Sequence, residues 1–314
     1  MTSIVEKQTK AIQNNGRVKV IYIAGEGRSG STLLERILGQ HPKIFAAGEL
    51  KHIWERSFIE NQLCSCGKSF YDCDFWKLVR KRFHEYYGEI DYKSVIEAFK
   101  KTCRIRHYLF RKNLNNKHSK FINGVYLALY KAISDVSGKE FVIDASKHPV
   151  FAHILAQNPA IKLYVIHLIR DPRAVAYSWQ KKKIRPEITD RVEYMPRYSI
   201  VRSAVSWGIV NKISYNLSEF DNIKYILIKY KDLIFDPKNT LLKLYKFLNI
   251  KENFESLFLD EKTIFFSKNH TVAGNPIRFK VGRIQLEMDN EWKEKMPRYK
   301  QLLVYLLVGL MFSP

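Results

Sequence analysis

The sequence predicts an α/β fold, a three-layer sandwich whose central parallel sheet is flanked by helices and interrupted by a helical insertion. Three observations carry this. Residues 18–24 (VKVIYIA) form a short apolar, β-branched run, as a strand buried on both faces requires. Gly25, Gly27 and Gly30 then break it, and Leu33, Leu34, Ile37 and Leu38 follow at helical spacing up to Gly39. Further apolar runs at 141–144, 162–169 and 225–229 each lead into helical periodicity, the alternation that builds a parallel sheet.

The first turn is where chemistry enters. A strand, a glycine-rich turn and a helix N-terminus together aim free backbone N–H groups and a helix dipole at an anion. Gly25-x4-Gly30 followed by Ser31-Thr32 nearly matches the phosphate loop GxxxxGK[ST], so the fold is P-loop-like. Ser31 stands where the loop lysine would reach the β/γ-phosphates, and Arg28 sits inside the turn instead. The result is a phosphate cradle not built for ATP hydrolysis. A plain connection would not need Arg28, Ser29, Ser31 and Thr32 together.

The remaining elements follow in order. Residues 1–17 read as a lead-in. After the cradle helix, Gln40-His41-Pro42 turns the chain into a short strand at 44–47 ending at Gly48-Glu49. That places a carboxylate at a strand's end, where α/β proteins bind ligands; an exposed acid is the plainer alternative. Residues 74–88 and 92–106 have helical periodicity within an insertion at about 60–135. Its basic face (Arg104, Arg106, Arg111, Lys112, Lys117, Lys120) suits an acceptor surface. The strand at 141–144 runs into Ala145-Ser146-Lys147-His148, so Lys147 either points to the ligand edge or is a solvated loop residue. The strand at 162–169 contains His167, read as an interior histidine, and enters Arg170-Asp171-Pro172. Pro172 suits the first turn of a helix, which puts Ser178 about two turns along. Arg170 and Ser178 can then face one anion beside the first cradle; the competing reading is a local Arg170–Asp171 ion pair. A long helix at 198–217, a helix at 240–248, a Gly- and Pro-punctuated covering loop at about 263–283 and a C-terminal helix within 302–312 complete a single domain of 314 residues.

Composition narrows the partners. Lys and Arg number 53 against 31 Asp and Glu, a net charge of +22, so the ligands are expected to be anionic. The basic residues are spread along the chain without a nucleic-acid-binding signature, and no nucleic acid is expected. The apolar run at 302–312 is too short to span a bilayer, and the amino terminus carries no apolar leader. The expected location is therefore cytoplasmic, or the Golgi lumen if the chain is a trimmed piece of a eukaryotic protein. Cys64, Cys66 and Cys73 could begin a zinc site, but no second close-spaced pair follows. A disulfide or a loop of buried thiols explains them, and no metal is expected. The sequence assigns no oligomeric state.

The motifs resemble a known family. Residues 28–34, Arg-Ser-Gly-Ser-Thr-Leu-Leu, resemble the 5′-phosphosulfate loop of sulfotransferases that use 3′-phosphoadenosine 5′-phosphosulfate (PAPS). Arg170-Asp171-Pro172-Arg173-Ala174-x-Ala176-x-Ser178 resembles their 3′-phosphate element, and residues 228–237 resemble the following strand and turn, where a tyrosine lies near the adenine. Residues 64–76 and 273–279 resemble the bacterial branch and its Golgi carbohydrate and tyrosylprotein relatives. The match is distributed over residues 18–296.

What this resemblance implies is specific. Sulfuryl transfer would run from PAPS to a hydroxyl of a carbohydrate, glycolipid or peptide acceptor, leaving adenosine 3′,5′-bisphosphate. Arg28, Ser29, Gly30, Ser31 and Thr32 would hold the donor's 5′ end, Arg170 and Ser178 its 3′-phosphate, and Tyr230 would lie by the adenine. Gly274, Asn275 and Arg278 would contribute from the covering loop. In the tyrosylprotein relatives a glutamate twenty-one residues after the loop arginine is the base, which falls on Glu49. A lysine after the corresponding strand assists the leaving oxygen, which falls on Lys147. Cytosolic relatives begin the loop with lysine and use histidine, a pattern that would shift the base to His52 or His148. Two other functions compete: a P-loop-like nucleotide kinase, which the missing loop lysine opposes, and a non-catalytic nucleotide- or polyanion-binding protein.

Overall fold

The structure, a computed structural model, describes residues 16–109, 114–254 and 257–311. Most of the lead-in, together with Arg111 and Lys112 of the expected basic face, lies outside the described residues. Five parallel strands form the main sheet: β1 (Val18–Ala24), β2 (Ile44–Ala46), β3 (Phe141–Lys147), β4 (Ile161–Ile169) and β5 (Ile223–Lys229). Their spatial order is β2-β3-β1-β4-β5. β1 is central, with Val20 in register with Val142 on one side and Leu163 on the other. After β3 the chain crosses over β1 to reach β4. A ligand crevice forms off the carboxyl ends of the strands where the order reverses in this way.

The period-two alternation of a strand divides β1 between two cores. Val20 and Tyr22 face the helices Lys117–Ser137 and Pro149–Ala156. Ile21 and Ile23 face the helices Ser31–Leu38 and Pro237–Leu248. All four side chains are fully buried, and this double covering is what a strand apolar along its length requires.

The helical tract differs from a separate subdomain in one respect. Helices Asp74–Tyr87 and Tyr92–Thr102 pack on Lys117–Ser137, which itself covers the sheet. A 3-10 turn at Leu50–His52 and a π-helical turn at Ile53–Ile59 already lead into this layer, where Trp54 stacks on Phe58 at 5.0 Å. The periodic run at 92–106 is divided, with a second helix beginning at Ile105. The loop at 263–283 is framed by two antiparallel strands, β6 (Thr263–Phe266) and β7 (Gly282–Gln285). In the C-terminal helix Arg298–Gly309, Val304 and Val308 are buried while Leu302, Tyr305 and Leu306 are exposed. Among the described residues no helix is long and apolar enough to cross a membrane.

Strand β3 extends past Asp144 because that carboxylate is buried yet fully engaged. It accepts hydrogen bonds from the Tyr130 hydroxyl (2.6 Å), the Ser146 amide (2.9 Å) and the Leu50 amide (3.3 Å), and from the Ser146 hydroxyl. His167 is likewise interior, bonded to the Tyr225 hydroxyl at 2.7 Å and to Asn211 Oδ1 at 2.8 Å. Asp144→Ala should lower stability by about 3 kcal/mol or more, since it strands several buried donors. Tyr130→Phe should cost about 1 kcal/mol. Urea unfolding of both variants tests this, and equal small losses would mean that the carboxylate is not the hub.

Candidate functional site

The cradle bends as sequence and crowding require. Gly25 and Gly30 have φ of 126° and 96°, and Gly30 precedes the helix Ser31–Leu38. A Cβ at Gly30 would lie 2.4 Å from the Tyr230 ring, and one at Gly25 would lie 2.5 Å from the Leu168 carbonyl oxygen. Only glycine fits either point. Arg28 is left-handed at φ 67°, which turns its guanidinium onto Trp179 with 4.7 Å to the ring centre. Its Nε and Nη2 are buried without hydrogen-bond partners, and burial lowers its pKa. Arg170, at the end of β4, stacks on Tyr230 at 4.7 Å and donates from Nη1 to the Arg28 carbonyl at 3.2 Å. Its Nε and Nη2 also lack hydrogen-bond partners, although Nη2 lies 3.5 Å from Asp289. Asp171 pairs with Arg173 (2.7 Å) and caps the helix Pro172–Gln180.

Across the crevice stand Glu49 and Lys147, joined by a 2.6 Å ion pair, with His52 Nε2 3.7 Å from the other carboxylate oxygen. Several bonds fix this corner. The Gly48 amide donates to Glu35, the Glu49 amide to the Val272 carbonyl (3.0 Å), and the Lys51 amide to Ser146 Oγ (2.9 Å). Burial works to raise the Glu49 pKa, but Lys147, Lys51 and His52 outweigh it and hold the carboxyl well below its ordinary range. Burial pushes Lys51 down to about 8, with Lys147 and Arg56 adding repulsion. His52 is lowered by burial and by Lys51 and Arg56, and His148 falls to about 3 through burial and Lys51. The corner therefore holds an ionised glutamate between the Lys147 and Lys51 cations.

One cavity of about 600 Å³ is lined by Arg28, Gly30, Ser31, Thr32, Glu49, Lys147, Arg170, Ser178, Tyr230, Gly274 and Asn275. That volume is within the range of small-molecule sites. Two of the expected binding residues are not on its wall. Ser29 is buried with its hydroxyl unpartnered. Arg278 is buried and donates to the Thr271 (2.9 Å) and Leu63 (3.0 Å) carbonyls, so it holds the covering loop from behind. Arg36 grips the same loop through the carbonyls of Ser267 (2.9 Å), Lys280 (3.2 Å) and Arg278. The loop also meets the cradle directly, the Asn275 amide donating to Thr32 Oγ1 at 3.4 Å.

Several wall residues had no sequence signal. Glu26, inside the cradle, accepts from the Gly27 amide (3.0 Å) and the Ser206 hydroxyl (2.7 Å), and burial raises its pKa. Trp179, Met195 and Tyr198 flank Arg28 and come from aperiodic or helical sequence that gave no hint of it. Among the described residues of the 60–135 tract, only Ile105 lines this cavity. Besides Arg28, Lys147 and Arg170, the lysines and arginines on its wall are Lys51, Arg56, Lys183 and Arg202, so the expected acceptor face does not coincide with it. A second cavity of about 420 Å³, bounded by Trp207 and Trp292, shares the wall of Arg170, Tyr230 and Asp289.

Apart from the cavity, Cys64, Cys66 and Cys73 meet His270. The cysteines are free, and the ligand atoms of all four residues lie within 4.8 Å of one another.

Comparison with known proteins follows the same outline. The model of the sulfotransferase family matches residues 21–255. Carbohydrate sulfotransferase 4 of Mus musculus is 28% identical over 107 residues, a stretch covering 31% of this chain and 28% of the relative's length. The chain thus matches under a third of that protein. The sulfotransferase domain of the Synechococcus PCC 7002 olefin synthase gives a TM-score of 0.51 at 17% identity, covering 95% of this chain and 96% of that one. The sulfotransferase domain of the curacin biosynthetic pathway gives 0.50 at 19% identity, covering 95% and 100%. At these identities the two structures show a shared fold.

Glu35 makes the frame of this corner sensitive to pH. Burial raises its pKa to about 8, against the Gly48 amide bond that lowers it. An unfolded glutamate titrates near ~4.3. Between the two values the folded chain holds a proton that the unfolded chain has lost, so this group's contribution to stability falls as pH rises. Glu35→Gln, which keeps the acceptor, should gain stability relative to the parent from about pH 5 to about pH 8. Urea unfolding at both pH values checks this; a constant difference would refute it.

Proposed function

The chain belongs to the sulfotransferase family, and from that premise we propose that it transfers the sulfuryl group of PAPS to a hydroxyl of a carbohydrate, glycolipid or peptide. The observation that carries the donor assignment is the pair Arg28 and Arg170. Both line one cavity, both are stacked on an aromatic ring, and each has two buried guanidinium nitrogens without a hydrogen-bond partner. Buried cationic donors left short of acceptors are costly, and a doubly phosphorylated ligand would satisfy them. The tight Gly30 turn against Tyr230 leaves backbone N–H groups free at a helix N-terminus, as a 5′-phosphate requires.

When bound, the donor supplies an activated sulfuryl group and a good leaving phosphate. The residues divide the work. Ser31 and Thr32, with the loop amides, hold the 5′ end, and Arg170 and Ser178 hold the 3′-phosphate, which distinguishes this donor from ATP. Tyr230 lies by the adenine, and Gly274 and Asn275 close the loop over the cradle. Arg28 stabilises charge on the transferring group, a role in which a fixed cation suffices. Glu49 accepts the acceptor's proton, and Lys147 supports the leaving oxygen. Paired to Lys147, Glu49 is ionised but weakly basic. An anion that draws Lys147 away raises its basicity, so proton acceptance is coupled to occupancy of the phosphate cradle.

Adenosine 3′,5′-bisphosphate should raise the melting temperature more than ATP at equal concentration; equal shifts would remove the PAPS assignment. With labelled donor and an acceptor panel, Arg28→Ala should lose about 100-fold or more in turnover. Glu49→Gln should lower kcat about 100-fold with bisphosphate affinity kept, and an unchanged kcat would exclude it as the base. Arg170→Ala should chiefly raise the donor KM.

A further inference from the structure

The geometry points to a structural zinc site made by Cys64, Cys66, Cys73 and His270, which clamps the covering loop to the helical tract. Zinc bound tetrahedrally by thiolates and imidazole, at ~2.3 and ~2.0 Å, sets its ligand atoms roughly 3.3–3.8 Å apart. Here Cys66 Sγ lies 3.6 Å from Cys73 Sγ, and His270 Nδ1 lies 3.2 Å from Cys73 Sγ and 3.8 Å from Cys64 Sγ. No close-spaced pair follows the three cysteines in sequence because the fourth group arrives from 197 residues beyond Cys73.

The surroundings are arranged as a ligand set needs. The segment from Cys64 turns tightly, with Gly67 at φ 91° donating its amide to the Cys64 carbonyl at 2.9 Å. Phe75 stacks on the His270 ring and sets its tilt, and Trp76 Nε1 donates to the His270 carbonyl at 2.8 Å, anchoring the main chain that carries it. Ser65 bonds across to the Thr271 and Asn269 carbonyls, at 3.1 and 3.0 Å. Three thiolates and one imidazole favour zinc over hard cations, and four protein ligands leave no open position, so the site is structural. None of the four lines the cavity, but His270 is four residues from Gly274, which does. The metal would therefore set the path of the loop that covers the cradle.

The test begins with the full chain purified without chelator under reducing conditions and dialysed into metal-free buffer. Elemental analysis should give about one zinc per chain. Cys64→Ser and His270→Ala should lose it, while Cys103→Ser, a buried cysteine outside the cluster, should retain it. Cobalt exchanged into the parent chain should give the intense visible bands of a tetrahedral thiolate site, a readout that survives if the variants fail to fold. Negligible zinc with no cobalt bands, or a Cys66–Cys73 disulfide in the unreduced mass, would overturn the site. Removing the zinc should speed amide exchange over residues 271–278 by about tenfold or more. Unchanged exchange would overturn the clamp, and because it requires no donor, this result is independent of the PAPS assignment.

Discussion

A single buried carboxylate, Asp144, underlies the arrangement of the site. It sits on β3 beside the central strand, and its four hydrogen bonds reach the helix behind the sheet, the next turn of its own strand and the Leu50 amide after β2. Ser146, one of its donors, receives the Lys51 amide in turn. The strand end carrying Lys147 and the turn carrying Glu49 are thereby locked edge to edge, which is why an ion pair of 2.6 Å forms between residues nearly a hundred apart in sequence. A partly satisfied network at this depth would be worse than an apolar one, so its completeness matters more than any single bond.

The opposite wall is organised by guanidinium groups that the protein leaves short of hydrogen-bond acceptors, although Asp289 lies 3.5 Å from Arg170 Nη2. Arg28 and Arg170 gain from their aromatic partners, but such contacts do not replace lost hydrogen bonds to guanidinium nitrogens. The fold stores electrostatic demand on one side of the crevice and resolves it on the other, where Glu49 is surrounded by Lys147, Lys51 and His52. This asymmetry favours an anionic ligand along the arginine wall and leaves an ionised carboxylate at its far end.

The fold was legible because its signals are local. Each strand is a short apolar run, and the two strand-to-helix junctions carry Arg and Ser at spacings that a parallel sheet converts into one cavity wall. The Asp144 extension of β3 was not legible, because a carboxylate in a strand reads as its end until Tyr130 and Leu50 are known to meet it. Arg278 illustrates the converse. Its motif suggested ligand contact, but its position behind the loop depends on the Leu63 carbonyl, more than two hundred residues away, as well as on the nearby Thr271 carbonyl. Glu26 and Trp179 line the cavity through packing that no periodicity encodes.

Arg36 holds the loop at 263–283 through the main-chain carbonyls of Ser267, Arg278 and Lys280, and stacks on the Phe266 ring at 4.5 Å. Phe266 apart, such a grip on the backbone ignores the identity of the side chains it passes. The other residues of this segment can therefore drift while its backbone keeps its course beside the cavity. Variation in the segment's side chains is thus mechanically separated from the placement of its main chain.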